Sequence, residues 1–189
     1  VVAILRDPGT RSWSHYRHLL RKGDIQPGTT LENAVVKHPE ILDLSGYGTL
    51  LAPWQRTFGT RLKALLYEDL SRDPSEFALS LGAALSLKVD SSQAPQGTVN
   101  AAKEPRSYFL SKLAARSSYA LHAVGLHRVV DVAKAGGVAR VFEREWSARD
   151  TQPPVGVNEY VWDAVGDDAW KGAVAMGLDP SIWNDPRRV

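Results

Sequence analysis

The chain of 189 residues is long enough for one domain with a substantial core and too short for two comfortable ones. Its 43% hydrophobic and 23% charged residues are typical of a soluble globular protein, and no apolar run approaches the roughly 18 residues of a membrane span. With 23 basic and 21 acidic residues, the net charge of +2 gives no general attraction to nucleic acid or anionic lipid. The absence of cysteine excludes disulfides, thiolate metal sites and thiol nucleophiles. We therefore predict one cytoplasmic domain over residues 1–189, with no membrane span and no nucleic-acid partner.

The first residues predict a strand followed by a helix. Residues 1–5, Val-Val-Ala-Ile-Leu, form the continuous apolar run of a strand buried in a parallel sheet. Asp7 is a suitable N-cap, Pro8 suits the first helical position, and Gly23 suits the end. One stripe of this helix is apolar and is its predicted core face: Trp13, Tyr16, Leu19 and Leu20.

The next part of the chain alternates helices with a second strand. In order, the predicted elements are a loop over residues 23–30, a short helix around 31–37, an amphipathic helix over 47–59, a strand over 61–67, a turn over 68–74 and a helix over 75–85. This order favours an α/β architecture with a parallel sheet.

The second half gives weaker signals. Residues 88–107 lack periodicity and predict a long loop, of a length that is often functional. A helical pattern covers residues 108–146, a Pro-rich crossing covers 151–157, and a last helix covers about 158–176. Only two strands are convincing, so we expect the sheet to be an incomplete, helix-rich part of a larger α/β sheet, with its missing strands ahead of residue 1.

A candidate anion site follows the first strand. Ligands of open α/β sheets bind at the carboxyl ends of the strands, where Arg6 stands. On the following helix, Arg11 and Ser14 are three residues apart and share a face. A guanidinium and a nearby hydroxyl can converge on one phosphate. The alternative is that Arg6 pairs with Asp69 or another acid and that Ser14 is an ordinary helix residue.

The stretch ILRDPGTRSWSHY, residues 4–16, resembles the 3′-phosphate-binding segment of sulfotransferases that use 3′-phosphoadenosine 5′-phosphosulfate. In that family a strand ends in Arg-Asp-Pro and a Ser follows eight residues after the Arg. Three later stretches resemble the same family in the same order, although less specifically: YGTLLAPWQRTFG, LKALLYEDLSRDP and DDAWKGAVAMGLDPSIW.

The resemblance implies a three-layer P-loop NTPase-like parallel sheet and a sulfuryl transfer to a hydroxyl or amine of a small-molecule, glycan or lipid acceptor. It implies that Arg6 and Ser14 hold the 3′-phosphate, with Arg11 beside them, and that no metal is needed. A basic loop of the family folds over the nucleotide, which makes Lys103 and Arg106 further cofactor-binding candidates; a solvated loop is the equal alternative. Tyr47 and Trp54 are acceptor-binding candidates, although an aromatic pair seven residues apart on an amphipathic helix first of all indicates a core role.

One departure from the family concerns its phosphate loop, a Lys-x-Gly-Thr-Thr turn between a strand and a helix. Residues 27–30, Pro-Gly-Thr-Thr, lack the Lys and follow a helix, so we interpret them as an ordinary loop. We therefore expect the phosphate loop, its lysine and the catalytic base to lie ahead of residue 1, and the catalytic residues are unknown.

We interpret several histidine and tryptophan side chains as structural rather than functional. We expect four of the five histidines to be packed or exposed rather than catalytic: His15, His18, His122 and His127. We expect four tryptophans to pack in the core: Trp146, Trp162, Trp170 and Trp183. Two other functions remain open, namely a P-loop kinase-like phosphotransferase and a non-catalytic binding module of the sulfotransferase type.

Overall fold

A computed structural model describes residues 1–90 and 152–188, together with the backbone of two short strands between them. Strand β1 (Val2–Leu5) pairs in parallel with β2 (Lys63–Leu66), and the register places Leu5 opposite Leu66. Both strands fall where the apolar runs predict them. The described fold is a helix-rich α/β arrangement built on this small parallel sheet.

Helix α1 (Pro8–Lys22) begins and ends at the predicted residues. The Asp7 carboxylate accepts a hydrogen bond of 2.8 Å from the backbone N–H of Thr10, and Gly23 ends the helix at φ 82°. Glycine reaches this left-handed conformation without steric cost. The predicted apolar stripe faces the core, because Tyr16 and Leu19 are buried and its other members pack against the same cluster.

Between α1 and β2 lie three helices: α2 (Leu31–Val35), α3 (Glu40–Asp43) and α4 (Tyr47–Phe58), followed by a 3-10 turn over Gly59–Arg61. Helix α2 ends before the predicted residue 37, and α3 was not predicted. Pro39 explains both differences, because a proline disfavours helical backbone in the residue before it and is itself compatible with a helix start.

Beyond β2 come α5 (Tyr67–Arg72) and α6 (Pro74–Leu85). The prediction of a turn over residues 68–74 was wrong, since most of this segment is α5. Its first turn holds two carboxylates, which the positive end of a helix favours. The Asp73–Pro74 pair within the predicted turn instead starts α6, where the Asp73 carboxylate accepts two backbone hydrogen bonds of 3.0 Å.

Strands β3 (Lys103–Pro105) and β4 (Glu143–Glu145) form a separate antiparallel pair. They correct two predictions, because β3 lies within the predicted loop 88–107 and β4 within the predicted helical stretch 108–146. Each strand has only three residues and few strand-forming side chains, and its partner is distant in the sequence. Local periodicity therefore carries no signal for them.

The predicted last helix, about 158–176, is present, but it begins earlier, at Val155, within the predicted Pro-rich crossing 151–157. The last part of the chain contains α7 (Val155–Val161), a π-helical segment over Trp162–Gly166, α8 (Asp167–Ala175) and 3-10 turns over Pro180–Ile182 and Pro186–Arg188. Within the described ranges, no helix has the length and apolar character needed to cross a bilayer.

Two apolar clusters form the described core. The first lies beneath the strands and contains Leu5, Tyr47, Leu51, Leu66, Trp162, Ala169, Ala173 and Trp183. The second joins α1, α2, α3 and α7. The predicted packing role of Trp162 and Trp183 is confirmed, because both are buried, and the partly buried Trp170 packs against the same cluster. Trp146 lies outside the described residues.

Candidate anion site at the carboxyl ends of the strands

The site is built where β1 and β2 end side by side. Because Leu5 faces Leu66 across a parallel ladder, the next residues of both strands, Arg6 and Tyr67, also leave the sheet at the same edge. The Arg6 guanidinium lies over the Tyr67 ring, with 4.7 Å from its carbon to the ring centroid. Its Nε donates a hydrogen bond of 3.1 Å to Thr10 Oγ1, so the side chain has a defined direction.

The buried phenol of Tyr47, the first residue of α4, fixes the backbone of Arg6. Its oxygen accepts a hydrogen bond of 3.1 Å from the Arg6 N–H and donates one of 2.7 Å to the Arg6 carbonyl. Burial raises the pKa of Tyr47 to about 12, against smaller opposing effects of the Arg6 backbone hydrogen bond and the Arg11 charge. The phenol is therefore neutral and able to donate at physiological pH.

Arg11 follows Thr10 in the first turn of α1 and is partly buried. Its Nη1 donates to Ser45 Oγ at 3.3 Å, and Ser45 Oγ is 2.9 Å from Ser12 Oγ. Both serines are fully buried, so this hydroxyl pair forms a rigid support for the guanidinium. Burial lowers the pKa of Arg11, an effect that the Arg6 charge strengthens and the Tyr47 hydroxyl opposes.

Neither arginine is neutralised by an ion pair within residues 1–90 and 152–188. The predicted alternative partner of Arg6, Asp69, instead binds Arg72 at 2.7 Å. Two other carboxylates that follow the strand ends, Asp7 and Glu68, accept hydrogen bonds from backbone and indole N–H groups. Burial raises the pKa of Asp7, a change that its hydrogen bonds from Thr10 and Asn184 partly oppose.

Among the sequence-predicted residues, the structure brings together Arg6, Arg11 and Tyr47. Ser14 is exposed on α1, three residues after Arg11. Trp54 lies two turns along α4 from Tyr47, about 10 Å at the rise of an α-helix. It is 46% exposed and stacks on Phe58 at 5.7 Å between centroids. Tyr47 is buried, at 4% exposure, so the two acceptor-binding candidates differ in their access to solvent.

The remaining candidates are placed only in part. The backbone of Lys103 belongs to β3, but its side chain is outside the described residues, as are Arg106, His122 and His127. The residues 27–30 form a loop between α1 and α2, which confirms that they are not a strand-to-helix phosphate turn.

The two histidines of α1 differ. His18 is exposed, and its Nδ1 is 3.1 Å from an Arg21 nitrogen. The partly buried His15 has an inaccessible Nδ1 without a hydrogen-bond partner. Burial lowers the pKa of both imidazoles, and nearby cations lower it further. Both imidazoles are therefore mainly neutral at pH 7. Within the part of the chain that the structure describes, no cluster of three or more His, Asp or Glu side chains is arranged to hold a metal ion.

Sequence reasoning missed four residues that shape the site: Ser45, Glu68, Trp183 and Asn184. Glu68 had a usable signal, because the parallel pairing of the two strands brings the residues after Leu66 beside those after Leu5. The sequence carried no such signal for Ser45, Trp183 or Asn184, since their contacts depend on tertiary packing.

Comparison of the chain with known protein families, with curated proteins and with solved structures finds no match.

Proposed function

We propose that this protein is a sulfotransferase that uses 3′-phosphoadenosine 5′-phosphosulfate, with its site at the carboxyl ends of a P-loop NTPase-like parallel sheet. The observation that carries the proposal is that Arg6 and Arg11, whose side chains are held by the hydroxyls of Thr10 and Ser45, have no carboxylate partner in the described residues. Two unpaired and partly desolvated cations at a strand end favour a ligand with a concentrated negative charge.

A phosphate monoester fits this arrangement better than a carboxylate does. Arg6 offers a planar fork of donors, already aligned by Thr10 and by the Tyr67 ring. Arg11 offers a second set beside it, and the exposed hydroxyl of Ser14 offers a short adjustable donor. The 3′-phosphate has three terminal oxygens, enough to accept from all three groups. In this proposal these residues distinguish the cofactor from nucleotides that lack a 3′-phosphate.

The cofactor supplies an activated sulfuryl group, which moves to an acceptor hydroxyl or amine of a small molecule, glycan or lipid and leaves adenosine 3′,5′-bisphosphate. The described residues bind and orient the nucleotide at the end distant from the transferred group. Positioning of this kind contributes to rate because the reacting atoms must lie in line. The residue that takes the proton from the acceptor is not assigned.

The proposal is tested by thermal unfolding of the protein with adenosine 3′,5′-bisphosphate and, separately, with 5′-AMP. A ligand at about 100 times its dissociation constant adds roughly 2.7 kcal/mol of stability, which a melting curve resolves. We expect a shift with the bisphosphate alone. Equal shifts with both ligands would favour a kinase-like phosphotransferase, and the absence of any shift would favour a non-catalytic module.

A further inference from the structure

A short chain of hydrogen bonds through Thr10 holds the side chain of Arg6. The Arg6 Nε–H donates to Thr10 Oγ1 at 3.1 Å, and the Thr10 hydroxyl donates in turn to the Asp7 carbonyl at 3.2 Å. The backbone N–H of Thr10 donates to Asp7 Oδ1 at 2.8 Å. These two hydrogen bonds to Asp7 hold Thr10 in the first turn of α1, so the acceptor that it offers to Arg6 has a fixed position.

Two other contacts restrict Arg6 in different ways. Tyr47 hydrogen-bonds both backbone groups of Arg6, which fixes the point from which the side chain extends. The Tyr67 ring lies 4.7 Å from the guanidinium carbon, which holds the group over the ring face. A planar cation can still rotate above an aromatic ring, whereas a hydrogen bond depends on direction. The bond to Thr10 is therefore the contact that sets the direction of the guanidinium.

This arrangement defines which donors of Arg6 face a ligand. A guanidinium has five N–H bonds in one plane, and one of them points at Thr10. The other four belong to Nη1 and Nη2, which have no hydrogen-bond partner among the residues that the structure describes. The terminal edge of the guanidinium is therefore the edge offered to an anion, and Thr10 determines where that edge lies.

We propose that Thr10 is a positioning residue that makes the anion site selective for a 3′-phosphate over a 2′-phosphate on the same nucleoside. The inference rests on the proposed function for the identity of the nucleotide. The two phosphates are attached to adjacent ribose oxygens, separated by about the length of one hydrogen bond, so a guanidinium free to swing would follow either of them. A guanidinium held at Nε makes its full set of contacts with only one of the two.

The test measures by calorimetry the dissociation constants of adenosine 3′,5′-bisphosphate and adenosine 2′,5′-bisphosphate for the unchanged protein, Thr10→Val and Thr10→Ser. Valine keeps the branched shape of threonine but cannot accept the Nε–H, whereas serine keeps the hydroxyl. We expect the unchanged protein to prefer the 3′ isomer by about tenfold or more. In Thr10→Val the preference should shrink to about threefold or less, through weaker binding of the 3′ isomer, and Thr10→Ser should retain most of it.

The ratio of the two constants separates positioning from a structural role. Damage to the fold weakens binding of both isomers alike, so an unchanged ratio in Thr10→Val would overturn the inference. The matched control is Thr57→Val, which removes a hydroxyl that donates to the Pro53 carbonyl at 3.0 Å and that contacts no arginine in the described part of the chain. Its ratio should equal that of the unchanged protein, and an equal fall in both variants would also contradict the role of Thr10.

Failure of the inference can be distinguished from failure of the proposed function. If the unchanged protein binds both isomers equally well, the selectivity is refuted while the phosphate site stands. If it binds neither, the proposed function fails, and the Arg6 Nε–H signal in NMR spectra tests the positioning role without a ligand. That signal should shift in Thr10→Val and keep its position in Thr10→Ser, and an unshifted signal in Thr10→Val would refute the positioning role.

A second variant covers a failure of Thr10→Val to fold. Thr10→Ala removes the same hydroxyl and places a stronger helix former in the first turn of α1. It should show the same reduced preference between the two bisphosphates and the same shift of the Arg6 Nε–H signal. A preference equal to that of the unchanged protein would overturn the inference.

Discussion

Tyr47 and Arg6, 41 residues apart in the chain, share two hydrogen bonds through one phenolic oxygen, 3.1 Å from the Arg6 nitrogen and 2.7 Å from the Arg6 carbonyl oxygen. A residue that has just left a β-strand normally has unpaired backbone groups, and burial makes such groups costly. Tyr47 supplies both partners and thereby fixes the backbone from which the Arg6 guanidinium extends.

The first prediction concerns this phenol. Tyr47→Phe keeps the ring in the core but leaves the Arg6 N–H and carbonyl without partners, so the free energy of unfolding should fall by about 1–3 kcal/mol. Urea denaturation measures this change. The matched control is Tyr67→Phe, which keeps the ring beneath Arg6 and removes an exposed hydroxyl; it should change stability by less than about 0.5 kcal/mol. Equal effects of the two substitutions would contradict the backbone role of Tyr47.

The second prediction concerns the anion. Arg6→Ala should weaken binding of adenosine 3′,5′-bisphosphate by about 2 kcal/mol or more, because a charge-assisted contact is lost, and should leave the affinity for 5′-AMP nearly unchanged. Titration calorimetry gives both values. Arg72→Ala is the control, since Arg72 is exposed and binds only Asp69 in the described residues. Equal losses for both ligands in Arg6→Ala would mean that Arg6 is structural.

Local signals predicted the elements around the site well. The apolar run of residues 1–5 gives β1 to within one residue, and the Asp7 cap and the Gly23 end give α1 at its observed bounds, because each depends on residues close in sequence. The position of Arg6 at the sheet edge follows from these elements. The features that distinguish the site from a surface arginine depend instead on contacts between distant segments, such as Ser12 with Ser45 and Glu68 with Trp183.

The two shortest strands could not be predicted from local sequence either. The strand pair at Lys103–Pro105 and Glu143–Glu145 depends on long-range pairing rather than on composition. The hydrogen-bond partners of Asp7 and Glu68 could not be predicted from the sequence either, which offered only the alternative that Arg6 pairs with Asp69 or another acid. Only the placement of Trp183 and Asn184 shows which donors these carboxylates take.

The third prediction tests the hydroxyl pair beneath Arg11. Ser45→Ala should cost about 1–3 kcal/mol of stability, because Ser12 and Arg11 then lose a buried partner. The double change of Ser12 and Ser45 to Ala should cost less than the sum of the single changes, with a coupling of about 0.5 kcal/mol or more. Additive effects would show that the two hydroxyls do not act together.

Ser14→Ala serves as the control for that cycle. Ser14 is exposed on the same helix, so its removal should change stability by less than about 0.5 kcal/mol. Under the proposed function the same variant should weaken bisphosphate binding, which separates a ligand contact from a structural hydroxyl.

The fourth prediction is a pH dependence from His15. Its pKa is lowered from 6.5, first by burial and then by the Arg11, His18 and His38 charges, while Glu40 opposes the shift. The unfolded chain therefore takes up this proton at a higher pH than the folded protein does. Its contribution to stability is present above pH 6.5 and is lost as the pH falls through the lowered pKa.

The variant His15→Gln isolates this contribution. The difference in unfolding free energy between about pH 7.5 and pH 5 should be smaller in the variant than in the unchanged protein. Urea denaturation at both pH values gives the comparison. An equal pH dependence in both proteins would show that His15 titrates alike in the folded and unfolded states.

The fifth prediction concerns the close approach of α8 to α4, which positions Tyr47. A Cβ on Gly172 would lie 2.8 Å from the Tyr47 Cβ and would also meet backbone atoms of Tyr47 and Gly48. Backbone cannot move aside as a side chain can, so Gly172→Ala should push the two helices apart and cost about 1–3 kcal/mol or more. Because α4 carries the phenol, the displacement should also weaken bisphosphate binding under the proposed function.

The matched control for this substitution is Gly156→Ala in α7, where a Cβ meets no atom within 4 Å. Alanine is the better helix former by up to about 1 kcal/mol, so this variant should be neutral or slightly more stable. Thermal unfolding of both variants makes the comparison. If Gly172→Ala were as stable as Gly156→Ala, the contact between α8 and α4 would be looser than the structure has it, and the position of Tyr47 could not depend on that contact.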